Sequence, residues 1–367
     1  MVKFDEIIHA SLEWTTTVLF RPFAVKKWFI LTFIALLAGT IAGGSNFRLN
    51  LPGNGTYEHQ SVKKDAKIKY EGKTAELAKP KSFSDLKKEF NLFLAQISSP
   101  PAIYFVISGI ALILIILIIF TWLYSRFSFI FLQAVSTNDA SIKLPFGQNR
   151  ETGNSLFSFN IILSLINTAI LILFIFYFIK SALNIIGMST LKNIPAATTI
   201  MKVLSSAIPY ILLLLLFILL AGIIQFIINN FVVPVMFKEK KSIFKALPIA
   251  LEIINNNKAN TLIYLLISIG FYICASIIYS IISFIAVMAI IFPVIIIGSL
   301  LTIIYKTIPV VSQPLVLTIC VIIGIPVMLF FWYCLICMYL PFAVFFRAFS
   351  LKFLGKLDSR YDLFKYS

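Results

Sequence analysis

Ile110-Ala-Leu-Ile-Leu-Ile-Ile-Leu-Ile-Ile-Phe120 is an unbroken apolar run in the middle of a stretch, residues 90–125, that holds no Asp, Glu, Lys, Arg or His. It shows no alternation of apolar and polar side chains, the mark of a half-solvated strand or of a ten-residue segment in an outer-membrane barrel. A charged side chain near the bilayer centre costs at least ~2.5 kcal/mol, so a long charge-free run reports passage through hydrocarbon, and about 20 residues let a helix cross. The same test applied outward finds charge-free runs at 28–47, 152–179, 203–237, 259–305 and 307–346. With 60% hydrophobic and 13% charged residues in 367, the chain lacks the polar surface to enclose a water-soluble globule of its size. The sequence predicts an all-α, polytopic transmembrane helical bundle of about six spans, at 28–46, 101–124, 157–179, 205–233, 260–290 and 317–346.

These spans divide the chain. Residues 1–27 are expected as a cytoplasmic interfacial helix, 28–46 as span 1, and 47–100 as an extracytoplasmic loop with a short helix at 82–97. Residues 101–346 form the rest of the bundle and 347–367 a basic cytoplasmic tail. Phe4, Ile7, Ile8, Leu12, Thr15 and Leu19 share one helical face, as do Ile243, Phe244, Leu247, Leu251 and Ile254, so both segments read as amphipathic helices lying on the membrane. A cleavable leader fits poorly, because Asp5, Glu6 and Glu13 precede the first apolar run. The stretch 291–305, with Pro293 and Gly298, reads either as a re-entrant element or as part of an extra span.

Orientation follows from the cations. With six spans, the side of the N-terminus holds 17 of the 31 Lys and Arg residues, while the ten in the 47–100 loop are diluted by six acids. The positive-inside rule then places both termini in the cytoplasm, in a membrane such as the bacterial inner membrane. The second, fourth and sixth spans all end in aromatic and basic residues: Trp122-Leu-Tyr-Ser-Arg126-Phe, Pro234-Val-Met-Phe237-Lys238, and Pro341-Phe-Ala-Val-Phe-Phe346-Arg347. This repeated border predicts three helical hairpins. Arg21, Trp28, Trp122, Arg126, Pro234, Pro341 and Arg347 are its markers, with the bilayer and its anionic lipid headgroups as the expected partners. The formal net charge of +16 does not argue for nucleic acid, because the cations gather at span ends.

Leu19-Phe-Arg-Pro-Phe23 with Trp28, Ser125-Arg-Phe-Ser-Phe129 with Gly153-Asn-Ser-Leu-Phe157, and Asn230-Phe-Val-Val-Pro-Val-Met236 with Leu340-Pro341 and Phe346-Arg347-Ala-Phe-Ser-Leu351 carry a further likeness. In these passages the chain resembles a family of uncharacterised bacterial and archaeal multi-span membrane proteins, and is distantly similar to the membrane domain fused to some glycerophosphodiester phosphodiesterases. The resemblance implies architecture and no transferable activity.

Chemistry is sparse. No ionisable group lies in any span core, which argues against a proton relay. Asn160 and Asn167 in the third span, and Gln225 and Asn229 in the fourth, are the polar groups at depth. Such amides ordinarily bond neighbouring helices, and they are also the candidate lining of a polar cavity in a carrier. Cys334 and Cys337 share a helical face, yet two thiols do not complete a metal site, so no metal or cofactor is expected. His9 and Glu13, at i and i+4, read as a solvated face, and no catalytic motif is present. A non-enzymatic scaffold, accessory or membrane-organising protein is the leading expectation, acting with membrane-protein partners or as a homo-oligomer. A transporter or lipid-handling protein is the alternative.

Overall fold

The computed structural model describes residues 2–40, 100–191, 195–307 and 313–366. The predicted helix at 82–97, nearly all of the 47–100 loop and the end of span 1 lie outside these residues. Among the described residues the fold is all-helical, with no strand. In chain order the helices are α1 (Phe4–Phe20), α2 (Val25–Leu37), α3 (Pro100–Thr137), α4 (Lys143–Gln148), α5 (Arg150–Leu191) and α6 (Ala196–Ile227). After a π-turn (Ile228–Val232) come α7 (Val233–Glu239), α8 (Ile243–Asn256), α9 (Lys258–Thr307), α10 (Gln313–Cys337) and α11 (Leu340–Leu357). The chain divides into two compact units, Arg48–Ile119 and a larger one of Met1–Phe47 with Phe120–Ser367. In the smaller unit the described residues are the start of α3, whose side chains from Ile103 to Ile119 are largely exposed and apolar.

Among the described residues, five helical stretches are long and apolar enough to cross a membrane: Ile103–Thr137, Arg150–Ser189, Ala197–Glu239, Lys258–Leu300 and Cys320–Leu357. α9 answers the ambiguity at 291–305. It is a single helix of 50 residues that runs through Pro293 without a break. At 1.5 Å per residue such a helix is about 75 Å long, more than the ~45 Å of a bilayer with its headgroups. The excess is accounted for at its start, where Tyr264, Ser268 and Ala275 are buried in protein. α10 likewise continues through Pro326.

The larger unit has two kinds of packing. Arms formed by α5 with α6, and by α9 with α10, present apolar side chains outward: Leu212 is 68% exposed and Met328 75%. Phe174 meets Phe217, and Phe178 meets Tyr210, to join α5 to α6. The other ends of the same helices enter a dense base with α1, α2, α4, α7, α8 and α11. One cluster in the base centres on Phe231, Tyr264, Phe349 and Phe353, where the Tyr264 and Phe353 rings stack at 4.2 Å. A second gathers Leu31, Ile34, Phe127, Phe131 and Leu340.

Both ends of the chain pack into this base. In the segment expected as a basic tail, α11 runs to Leu357 and buries Ala348, Phe349, Leu351, Phe353 and Leu354. Lys356 lies on the exposed face while the neighbouring rings turn inward, the ordinary division of a helix with one buried stripe. The N-terminal helix also has a protein-covered face. The α1 face of Ile7, Ser11, Thr15, Val18 and Leu19 is buried, and Phe4 stacks on Phe353 of α11. Trp14 Nε1 donates to Val135 O at 2.8 Å, tying α1 to the end of α3.

Candidate functional site: a polar and cationic layer where the arms enter the base

Pro234 organises one half of this layer. It has no N–H, so neither an α-helical bond to the Asn230 carbonyl nor a π-type bond to the Asn229 carbonyl can form. Both carbonyls take donors from α11 instead: Arg347 Nη1 reaches Asn229 O at 3.0 Å and Ser350 Oγ reaches Asn230 O at 3.1 Å. The Arg347 side chain is buried, with its guanidinium 5.8 Å from the Phe131 ring. The side chain of Asn229 accepts from Tyr124 OH at 3.1 Å, and the same hydroxyl accepts from Gln225 Nε2 at 3.1 Å. Asn160 Nδ2 donates to Ser125 Oγ at 3.1 Å, and the Ser125 hydroxyl in turn donates to Thr121 O at 2.9 Å. One set of bonds thus joins α3, α5, α6, the π-turn and α11.

Arg126 organises the other half. Its guanidinium carbon lies 4.6 Å from the Trp122 ring centre and 4.7 Å from that of Phe146 on α4. Nη2 donates to Asn154 Oδ1 at 3.0 Å in the first turns of α5. The side chain passes directly over Gly153, where an added Cβ would sit 2.9 Å from Arg126 Cγ. Lys240 closes α7 with a left-handed φ of 52°, rests on Phe237 and donates to Asn149 Oδ1 at 2.9 Å. Burial alone pushes its ammonium below the usual lysine range.

Of the four amides singled out from the sequence, Asn160, Gln225 and Asn229 lie in this layer, engaged with Ser125 and Tyr124. Asn167 does not join them; it sits two turns further along α5, partly exposed. The border markers divide. Arg126 and Arg347 are each 7% exposed and Pro234 is buried, so all three are packed largely into protein. The two guanidinium forks donate to carbonyl or amide oxygens and lie near ring faces. Trp122 and Pro341 are partly exposed, the latter in the first turn of α11. Arg21 is exposed just after α1, and Trp28 Nε1 donates to Leu19 O at 2.8 Å across the turn between α1 and α2.

Sequence reading missed Tyr124, Asn154, Phe146 and Tyr264. Tyr124 lay within a quoted border motif but was read as one more interfacial ring, and its two amide partners sit about 100 residues away. His9 and Glu13 are both exposed on α1, as a solvated face would be. Among the described residues no group of three or more His, Cys, Asp or Glu is placed to hold a metal ion.

Long apolar helices anchored in a polar layer define the class: an all-helical protein with several helices fit to cross a membrane. The chain belongs to a family of unknown function, DUF7544, whose model matches residues 4–364. No curated protein and no solved structure matches it.

Proposed function

We propose that this is a non-enzymatic, six-span scaffold or membrane-organising protein, with the sixth crossing supplied by α2 and the residues up to 46. The base would sit at the cytoplasmic face of a bacterial inner membrane, with both termini in the cytoplasm, as the distribution of Lys and Arg favours. α1 and α8 would border the anionic headgroups through their exposed side chains, among them Leu12, Phe244 and Leu251. The arms would be covered by lipid and by partner helices or a second copy of the chain.

One observation carries the reading: the polar groups at depth are spent on holding helices to one another, as in the Gln225–Tyr124–Asn229 chain and the Arg347 bond to the π-turn. The carrier alternative needs those amides to line free volume and draws no support from this geometry. The distant likeness to the glycerophosphodiester phosphodiesterase membrane domain enters here as a proposal about architecture only, that of a bundle able to accompany a partner.

The test is crosslinking in intact membranes from a photoreactive residue placed at Leu212 or Ile282 in the arms. A discrete heteromeric or homomeric adduct is expected. Adducts to lipid alone from both positions, with a monomer in detergent, would remove the scaffold reading.

A further inference from the structure

We propose that Arg126, Arg150 and Lys240 form a binding site for a phosphate-bearing anion, a phospholipid headgroup or free phosphate, at the start of α5. The proposal deepens the membrane-border reading above and rests on it for the choice of lipid. The Arg126 side chain is more than nine-tenths buried, yet its Nε has no hydrogen-bond partner among the described residues. Among the described residues its guanidinium contacts neutral groups: the Trp122 and Phe146 rings and the Asn154 amide oxygen. Arg150, three and four residues before the Gly153 and Asn154 that Arg126 contacts and so on the same side of α5, brings a second positive charge to this end of the helix. Lys240 reaches Asn149, immediately before Arg150, and there too the acceptor is a neutral amide.

The acids nearby are accounted for. Glu239 is taken by Lys241 at 2.9 Å and by the Tyr361 hydroxyl at 3.3 Å, and Glu151 is exposed. Among the described residues none of the three cations forms an ion pair, whereas Lys3, Lys241, Lys356 and Arg360 each do. Like charges held together with no counter-charge need an anion from elsewhere. A guanidinium whose fork is only partly used, with an ammonium bonded to the residue before Arg150, suits the several oxygens of a phosphate. Trp122, one turn before Arg126, is the type of side chain that sits at headgroup depth. Gly153 is required for the same site, since a side chain there would displace Arg126.

The full-length protein in detergent would be titrated with phosphatidylglycerol by native mass spectrometry and, separately, with inorganic phosphate by calorimetry. R150Q/K240Q changes exposed or half-buried positions and leaves the packed Arg126 in place; R126K tests the buried fork in a variant whose melting temperature is checked. Each basic residue near an anionic surface contributes about a fivefold factor, so R150Q/K240Q should weaken binding about thirtyfold. Phosphatidylglycerol binding lost in the variants and not competed by phosphate assigns the site to a lipid headgroup. Phosphate binding with the same residue dependence assigns it to the free ion. Absence of both from the wild-type protein, or binding in R150Q/K240Q within twofold of wild type, overturns the site. The arm crosslinks test the scaffold reading independently, because they do not involve these residues.

Discussion

The base and the arms are drawn from the same helices, yet they obey different rules. In α9, Tyr264 is 2% exposed and stacks between α11 rings, while Phe284, some five turns on, is 62% exposed. In α6, Leu212 meets the outside while Gln225 is committed to Tyr124. The arms contain apolar side chains that protein does not cover, so their stability must come from a surrounding apolar solvent. The base carries its own covering of rings and its own partners for polar groups. Hydrophobicity alone does not separate these two regions; the presence of Tyr, Asn, Gln and Arg among the apolar residues does.

The contrast can be broken by parallel truncations. Phe353→Ala in the base should cost about 3–5 kcal/mol, because a fully buried ring leaves a cavity between Phe4, Phe231 and Tyr264. Leu212→Ala in the arm should stay within about 0.5 kcal/mol, since protein covers little of that side chain. Thermal unfolding in nanodiscs compares them, and equal losses would erase the distinction. A charge reverses the asymmetry. Leu216→Arg, in the exposed apolar stretch of α6, should cost about 2.5–3.5 kcal/mol in a membrane-insertion assay, whereas Lys356→Glu on the exposed face of α11 should leave insertion unchanged.

Within the base, Gly153→Ala should lower stability by about 1–3 kcal/mol through overpacking against the Arg126 stem, whose Cα and Cγ both lie in the path of the new methyl. Gly147→Ala, where nothing lies within 4 Å of the added carbon, serves as the control in the same melting experiment. The smallest effect is at the chain end. Asp358 caps the following turn and pairs with Arg360 at 2.7 Å, which holds its carboxyl below the usual range. A depressed folded-state value means the contribution is complete above the unfolded carboxylate pKa of about 3.9 and is lost as pH falls below it. Hydrogen exchange at residues 359–366 should quicken below that pH in wild type and lose this dependence in Asp358→Asn.

How much of this could be read from sequence differs by region for physical reasons. The arms were legible because exclusion of charge from hydrocarbon leaves a mark in every residue, and charge-free runs such as 203–237 need no partner to be interpreted. The base was legible only in pieces. Pro234 and the Asn229-Asn230 pair stood out against apolar neighbours, but that their freed carbonyls would receive Arg347 and Ser350 depends on contacts between positions 118 and 120 residues apart. Arg126 and Arg347 looked like border cations because that is where isolated charges near span ends usually go; their burial follows from rings and amides contributed by other segments. The packing of the basic tail was hidden for the related reason that Lys352 and Lys356 are visible in a sequence, while the inward turn of Phe349 and Phe353 is not.

The most direct test of the division is a nitroxide accessibility scan in lipid vesicles, with single labels at Leu212, Ile282 and Phe330 in the arms and at Phe244, Lys245 and Lys356 on the outside of the base. The arms should relax with dissolved oxygen and be shielded from a water-soluble nickel chelate, while Lys245 and Lys356 should show the reverse. Nickel access to the three arm positions equal to that at Lys356 would mean that water, and not lipid, surrounds those helices, and the account would fail.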